Sequence, residues 1–174
     1  MHRSGFRCLF TLVCLTTALP SLVSAADWPR FRGINGSGVT DDPAPLKWSA
    51  TENVKWKLEL PGRGTSSPIV VGDRVYVTAY SGYGIPGGEG SIEDLKRHLV
   101  CIDRQQGTVL WTATIAAELP EDPYTPPGVT AHGYASHSPV CDGERVYVFF
   151  GKTGVLAFDL DGKELWRRGV GTES

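Results

Sequence analysis

What this 174-residue sequence has little of narrows its class before any motif is read. Lys and Arg number 17 against 19 Asp and Glu, a formal charge of −2 without a basic block, which argues against a nucleic-acid surface. No heptad pattern runs through it, so a coiled coil is excluded, and scattered glycines with 21% charged residues exclude collagen and disorder. Methionine occurs once and cysteine four times. What is abundant is Gly (21) and Pro (12), beside 41% hydrophobic and 10% aromatic residues. That combination predicts a turn-rich β protein with enough apolar content for a packed core.

Residues 1–26 read as a secretory signal peptide rather than part of the fold. His2, Arg3 and Arg7 form a short basic start, residues 8–23 an apolar run interrupted by Pro20, and Ser24, Ala25 and Ala26 a small-residue cleavage region. The run is too short for a comfortable membrane span, and a retained N-terminal anchor is the alternative. No Cys follows the small residues, so no lipoprotein attachment is expected. Cleavage removes two basic residues and no acid, taking the formal charge from −2 to −4. Export places the chain in the periplasm or outside the cell, where cysteines meet oxidising conditions. Only Cys101 and Cys141 then remain, in apolar strand-like runs. Two buried thiols or one disulfide are both open on the sequence, and neither cysteine has the CxxC or His spacing of a zinc site.

A repeat organises the remainder. Trp56, Trp111 and Trp166 are spaced by 55 residues and again by 55. Ser67-Pro68-Ile69-Val70-Val71-Gly72-Asp73-Arg74-Val75-Tyr76-Val77 aligns with Ser138-Pro139-Val140-Cys141-Asp142-Gly143-Glu144-Arg145-Val146-Tyr147-Val148 at a shift of 71. The segment 101–111, with Asp103 and Gly107, aligns with 157–166, with Asp159 and Gly162, at a shift near 55. The difference locates about 16 inserted residues within 81–97 of the first copy. Each copy reads as four short strands, with Gly-Asp or Asp-Gly turns where hairpins reverse. Four antiparallel strands at this period describe a propeller blade, which cannot bury both its faces alone. A Trp at the same place in each outer strand can lie against the next blade, its indole N–H reaching a backbone carbonyl. Asp103 and Asp159 are expected to accept backbone hydrogen bonds in the turn before that strand.

The runs 101–111 and 157–166 resemble the Ala-x-Asp-x-x-x-Gly-x-x-x-Trp docking motif of the PQQ-repeat, or quinoprotein-dehydrogenase-like, β-propeller family. Residues 27–33 (DWPRFRG) and 52–62 (ENVKWKLELPG) resemble the lead-in and first strand of such chains. The resemblance extends over about 27–171 and is as good to exported, non-enzymatic members of the BamB type as to dehydrogenases. It implies an all-β partial propeller: an arm at 27–52, a lone strand at 54–60, and blades at about 66–115 and 137–171. Trp56, Trp111, Trp166, Asp103, Asp159, Gly107 and Gly162 are its structural docking residues. Enzymatic members hold pyrroloquinoline quinone (PQQ) and calcium in a closed ring, using adjacent cysteines and carboxylates, and this sequence has no adjacent Cys pair. Under three repeats fit in the chain, whereas a ring needs at least four blades. The resemblance therefore implies a piece of a larger propeller, with closure by further blades or by self-association.

Other motifs compete with that reading. Gly82-Tyr83-Gly84-Ile85-Pro86-Gly87 has the dinucleotide-binding GxGxxG spacing, and Asp103 lies 21 residues beyond Gly82. Pro86, Gly87, Gly88 and Gly90 leave only 91–98 helix-capable, so a surface loop is expected instead. Gly151-Lys152-Thr153 lacks the leading Gly of a phosphate loop, and 159–162 lacks the third acid of a calcium loop. The Pro-rich segment 119–137 carries His132, Tyr134 and His137, candidates for a ligand contact on one rim. No acid or nucleophile is spaced beside them. The sequence thus predicts an exported, non-catalytic scaffold or binding module for protein or carbohydrate, with no cofactor. Its alternative is the remnant of a PQQ- and calcium-dependent oxidoreductase.

Overall fold

Alternation and turn chemistry build the strands. The computed structural model describes residues 26–85 and 87–171, and the predicted leader lies outside them, Ala26 aside. Gly72, at φ +55°, and Asp73 form a two-residue loop between β1 (Ile69–Val71) and β2 (Arg74–Ser81). That positive φ suits the turn that matches strand twist. β3 (Lys96–Asp103) and β4 (Val109–Ala116) complete a four-stranded antiparallel sheet in the order β1-β2-β3-β4. The second copy repeats it with β5 (Val140–Cys141), β6 (Arg145–Phe149), β7 (Val155–Asp159) and β8 (Glu164–Arg168), in sequential order. Among the described residues there is no α-helix, only three one-turn 3-10 segments. The chain is a partial, all-β propeller of two blades.

The blades share one core. Ile69, Tyr76, Leu99 and Cys101 from the first pack with Cys141, Val146, Val148, Leu156 and Phe158 from the second. Each blade also carries a β-bulge at the equivalent place. Ile102 pairs with Val109 and Cys101 with Trp111, leaving Leu110 as the extra residue; Phe158 pairs with Glu164 and Ala157 with Trp166, leaving Leu165. An unbulged register would set Trp111 opposite Val100, on the face away from the second blade. The bulge shifts it opposite Cys101, onto the shared face. Leu110 and Leu165 are left 48% and 43% exposed.

The strand expected at 54–60 joins no ladder among the described residues. It is extended and alternates, with Trp56, Leu58 and Leu60 packed on Val75, Val100 and Ile102 while Lys55, Lys57 and Glu59 face water. Side-chain burial holds it on the outer face of the first blade, and among the described residues no neighbouring strand supplies the hydrogen bonds of a ladder. The GxGxxG segment is a loop: Gly82, Gly84 and Gly87 all have positive φ, and only Ile92–Asp94 turns, as a 3-10 segment. The arm reaches the innermost strands. Trp28 exchanges backbone hydrogen bonds with Val70 (2.7 and 2.9 Å), and the Pro29 carbonyl accepts from the Cys141 amide at 2.9 Å.

Candidate functional site

Two regions collect the residues singled out in the sequence, and they differ in character. The first is the seam between repeats. Asp103 Oδ1 accepts from the Gln105 and Gln106 amides at 2.8 and 2.7 Å, and Asp159 Oδ1 from Asp161 and Lys163 at 3.0 and 2.9 Å. These bonds shape tight turns that end on Gly107 and Gly162, both at positive φ. Trp56 lies on Gly107 and donates its indole N–H to the Arg104 carbonyl at 2.9 Å; Trp111 lies on Gly162 and donates to the Leu160 carbonyl at 2.9 Å. A methyl group at either glycine would meet an indole ring within about 2.6 Å. Trp166, in the equivalent row with Tyr147, is 40% exposed. Arg74 crosses the seam to the Leu160 carbonyl and to Asp161.

Cys101 and Cys141 are both free thiols buried in the shared core. Burial pushes the Cys101 thiol up to about 11 and raises that of Cys141, so both stay protonated and unreactive.

The second region is the opposite end of the blades, where the loop residues 82–85 and 87–95 meet the loops 117–139 and 150–154. Arg97, on β3, is 3% exposed and organises it. Its Nε donates to the Tyr134 carbonyl at 3.0 Å, Nη1 to Thr153 Oγ1 at 3.3 Å, and Nη2 to Glu121, whose side chain is buried with it. Lys152 pairs with Asp122 at 2.8 Å. The inter-blade loop is thereby fixed to both blades. Tyr134 is packed by Tyr80, Tyr83 and Tyr124, lies under the Arg97 guanidinium, and donates its hydroxyl to the Asp122 carbonyl at 2.6 Å. Burial raises its phenol pKa. His132, Tyr134 and His137 line one small cavity of about 150 Å³ together with Arg97 and Glu121, but with separate roles. His132 is exposed and turned to the Gly133 carbonyl, Tyr134 is core, and His137 stands edge-on to Phe149 at 4.6 Å. Desolvation lowers the His137 pKa.

A larger cleft of about 440 Å³ opens beside them, walled by the backbone of 62–65, Tyr80, Tyr124 and His132. The tyrosine and histidines of the loop stand out in the sequence, whereas Arg97 and Glu121 do not. Arg97 stands between Lys96 and His98 at the polar start of β3, where nothing in the local pattern marks it for burial.

Residues 39–174 match the family model described as outer membrane protein assembly factor BamB. The chain belongs to this family. No curated protein shows significant similarity to the chain. Family membership agrees with the repeated blade geometry. Among the described residues, no helix is long and apolar enough to cross a membrane, and no group of three His, Cys, Asp or Glu is placed to hold a metal ion. Glu121 and Asp122 are engaged by Arg97 and Lys152, and the two thiols lie on strands of different blades.

Proposed function

We propose that this chain is an exported, non-catalytic β-propeller scaffold that presents a rigid loop end to a binding partner. The observation that carries the reading is the Arg97 network. At the centre of that end the polar groups are held in structural contacts: Arg97 by Glu121, Thr153 and the Tyr134 carbonyl, Asp122 by Lys152, and the Tyr134 hydroxyl by the Asp122 carbonyl. A general acid or base needs a free proton position facing a reactant, and groups locked in this way offer none. They do offer a loop with few accessible conformations, which lowers the entropic cost of binding. The family's description as an assembly factor supports a scaffold, and the basic, apolar and small-residue start of the sequence supports export to the periplasm or beyond. The reading has no resident cofactor; PQQ with calcium belongs to the oxidoreductase alternative.

The deciding measurement is dye-linked alcohol oxidation by the purified chain supplied with PQQ and calcium. The scaffold reading expects dye reduction no faster than with heat-denatured protein. Sustained turnover above that level makes the chain an oxidoreductase and removes the reading.

A further inference from the structure

A cleft of about 360 Å³ lies where the two blades begin, and its wall has an unusual chemistry. Phe31 comes from the arm, Thr65 and Ser67 from the approach to β1, Ser136, His137 and Ser138 from the approach to β5, and Phe149 from the end of β6. The volume falls within the range of small-molecule sites, ~300–1,000 Å³. Among the described residues, no Lys, Arg, Asp or Glu lines it. Two aromatic rings stand among four hydroxyls and one imidazole.

The polar groups divide into anchored and open. The Ser138 hydroxyl oxygen accepts the Ser67 amide at 2.9 Å, joining equivalent positions of the two repeats, and Thr65 donates to the His132 carbonyl at 2.9 Å. The Ser67 and Ser136 hydroxyls and the His137 ring nitrogens have no hydrogen-bond partner among the described residues. Hydroxyls both donate and accept, and a neutral imidazole does the same through its two nitrogens. Phe31 is 60% exposed, a large apolar surface facing water beside those open groups. Ligands carrying a formal charge would find no counter-charge in the wall and would lose hydration. A neutral ring bearing several hydroxyls and one apolar C–H face satisfies both halves of the wall: its hydroxyls pair with Ser67, Ser136 and His137, and its C–H face lies on an aromatic ring.

We infer that this cleft, between Phe31 and Phe149, binds a neutral carbohydrate, one or two pyranose units in size. The inference rests on the binding-module reading and gives that module a ligand class. It is tested with the full chain by saturation-transfer NMR and calorimetry, using methyl glucoside, maltose and cellobiose as probes and tetra-alanine as the peptide comparator. The expected result is saturation transfer to the C–H protons of at least one sugar, with affinity weakened roughly tenfold in Phe31→Ala and again in the Ser67→Ala/Ser136→Ala double variant. Phe31 is exposed, so its removal leaves the core intact, and a thermal melt of each variant verifies folding. Absence of transfer to all three sugars overturns the inference. So does an affinity unchanged within about twofold in either variant, or binding of tetra-alanine without binding of the sugars. None of these outcomes bears on the dye-reduction experiment, so the ligand class can fail while the scaffold reading stands, and the reverse.

Discussion

Gly107 and Gly162 set how closely one repeat approaches the next, because an indole ring occupies the space a side chain would need. Gly162 combines two constraints: φ is +87°, and an added Cβ would lie 2.6 Å from Trp111. The left-handed conformation costs an L residue ~1–2 kcal/mol, and overpacking a filled contact ~1–3 kcal/mol more. Gly143 also has positive φ, +94°, but nothing lies within 4 Å of its Cβ position. Gly162→Ala is therefore expected to lose about 2–5 kcal/mol and Gly143→Ala only the first part, about 1–2 kcal/mol, in urea unfolding. Equal losses would show that conformation alone, and not the Trp contact, keeps glycine at 162. A second residue-scale expectation concerns the buried pair. Removing Glu121 strands Arg97 at 3% exposure, so Glu121→Ala should cost ~3–5 kcal/mol, while the Arg97→Met/Glu121→Met double variant should recover most of it. A double variant no more stable than Glu121→Ala would refute that account.

At the scale of the element, the strands were legible in short apolar or alternating runs bounded by turn residues, but their register was not. The 55-residue recurrence of Trp, with Asp and Gly at fixed distances before it, marks the turn and the outer strand in the sequence. The bulges at Leu110 and Leu165 leave no such mark, because an apolar residue beside a Trp suits either face of a strand. The segment 54–60 shows the converse: its alternation is real and one face is buried, yet a ladder needs a partner strand that no local pattern can supply. The loop end was least legible. Arg97, Glu121 and Thr153 are far apart in sequence and meet only through the turns between strands.

β3 also carries a titratable group in its buried middle. His98 is 5% exposed, with Nε2 at 2.7 Å from Ser81 Oγ and Nδ1 at 3.0 Å from Thr114 Oγ1. Burial, and secondarily Lys96, lowers its pKa below the ordinary 6.5. Proton uptake on acidification therefore begins in the unfolded chain first. This group's contribution is fully present above about pH 6.5 and declines as pH falls towards the depressed folded value, at no more than about 1.4 kcal/mol per pH unit. Urea midpoints measured from pH 7 to 5.5 should fall, and His98→Gln should flatten the slope. His137 shifts in the same direction, so the His98→Gln/His137→Gln variant should flatten it further. A slope unaffected by both changes would place the acid sensitivity elsewhere.

Over the whole molecule, the arm joins what the sheets alone leave separate. The blades share a core, but the hydrogen-bonded ladders run within each sheet and not between them. The arm spans the gap: Trp28 pairs with Val70 on β1, Pro29 accepts from Cys141 on β5, and Asp27 Oδ1 accepts from the Gly72 amide at 2.9 Å. Its own shape depends on the Trp28 ring, which fills the space beside Gly33 at φ +77°. Trp28→Ala keeps every backbone partner and removes only this internal brace, so the effect should be local opening rather than global unfolding. In native-state hydrogen exchange, the Val70 and Cys141 amides should exchange roughly tenfold faster or more, while amides in the β2–β3 and β6–β7 ladders, such as Val100 and Leu156, keep their rates. Simultaneous acceleration of all four amides would mean that the arm is part of the global folding unit. Unchanged Val70 and Cys141 rates would mean that the indole does not hold the arm in place.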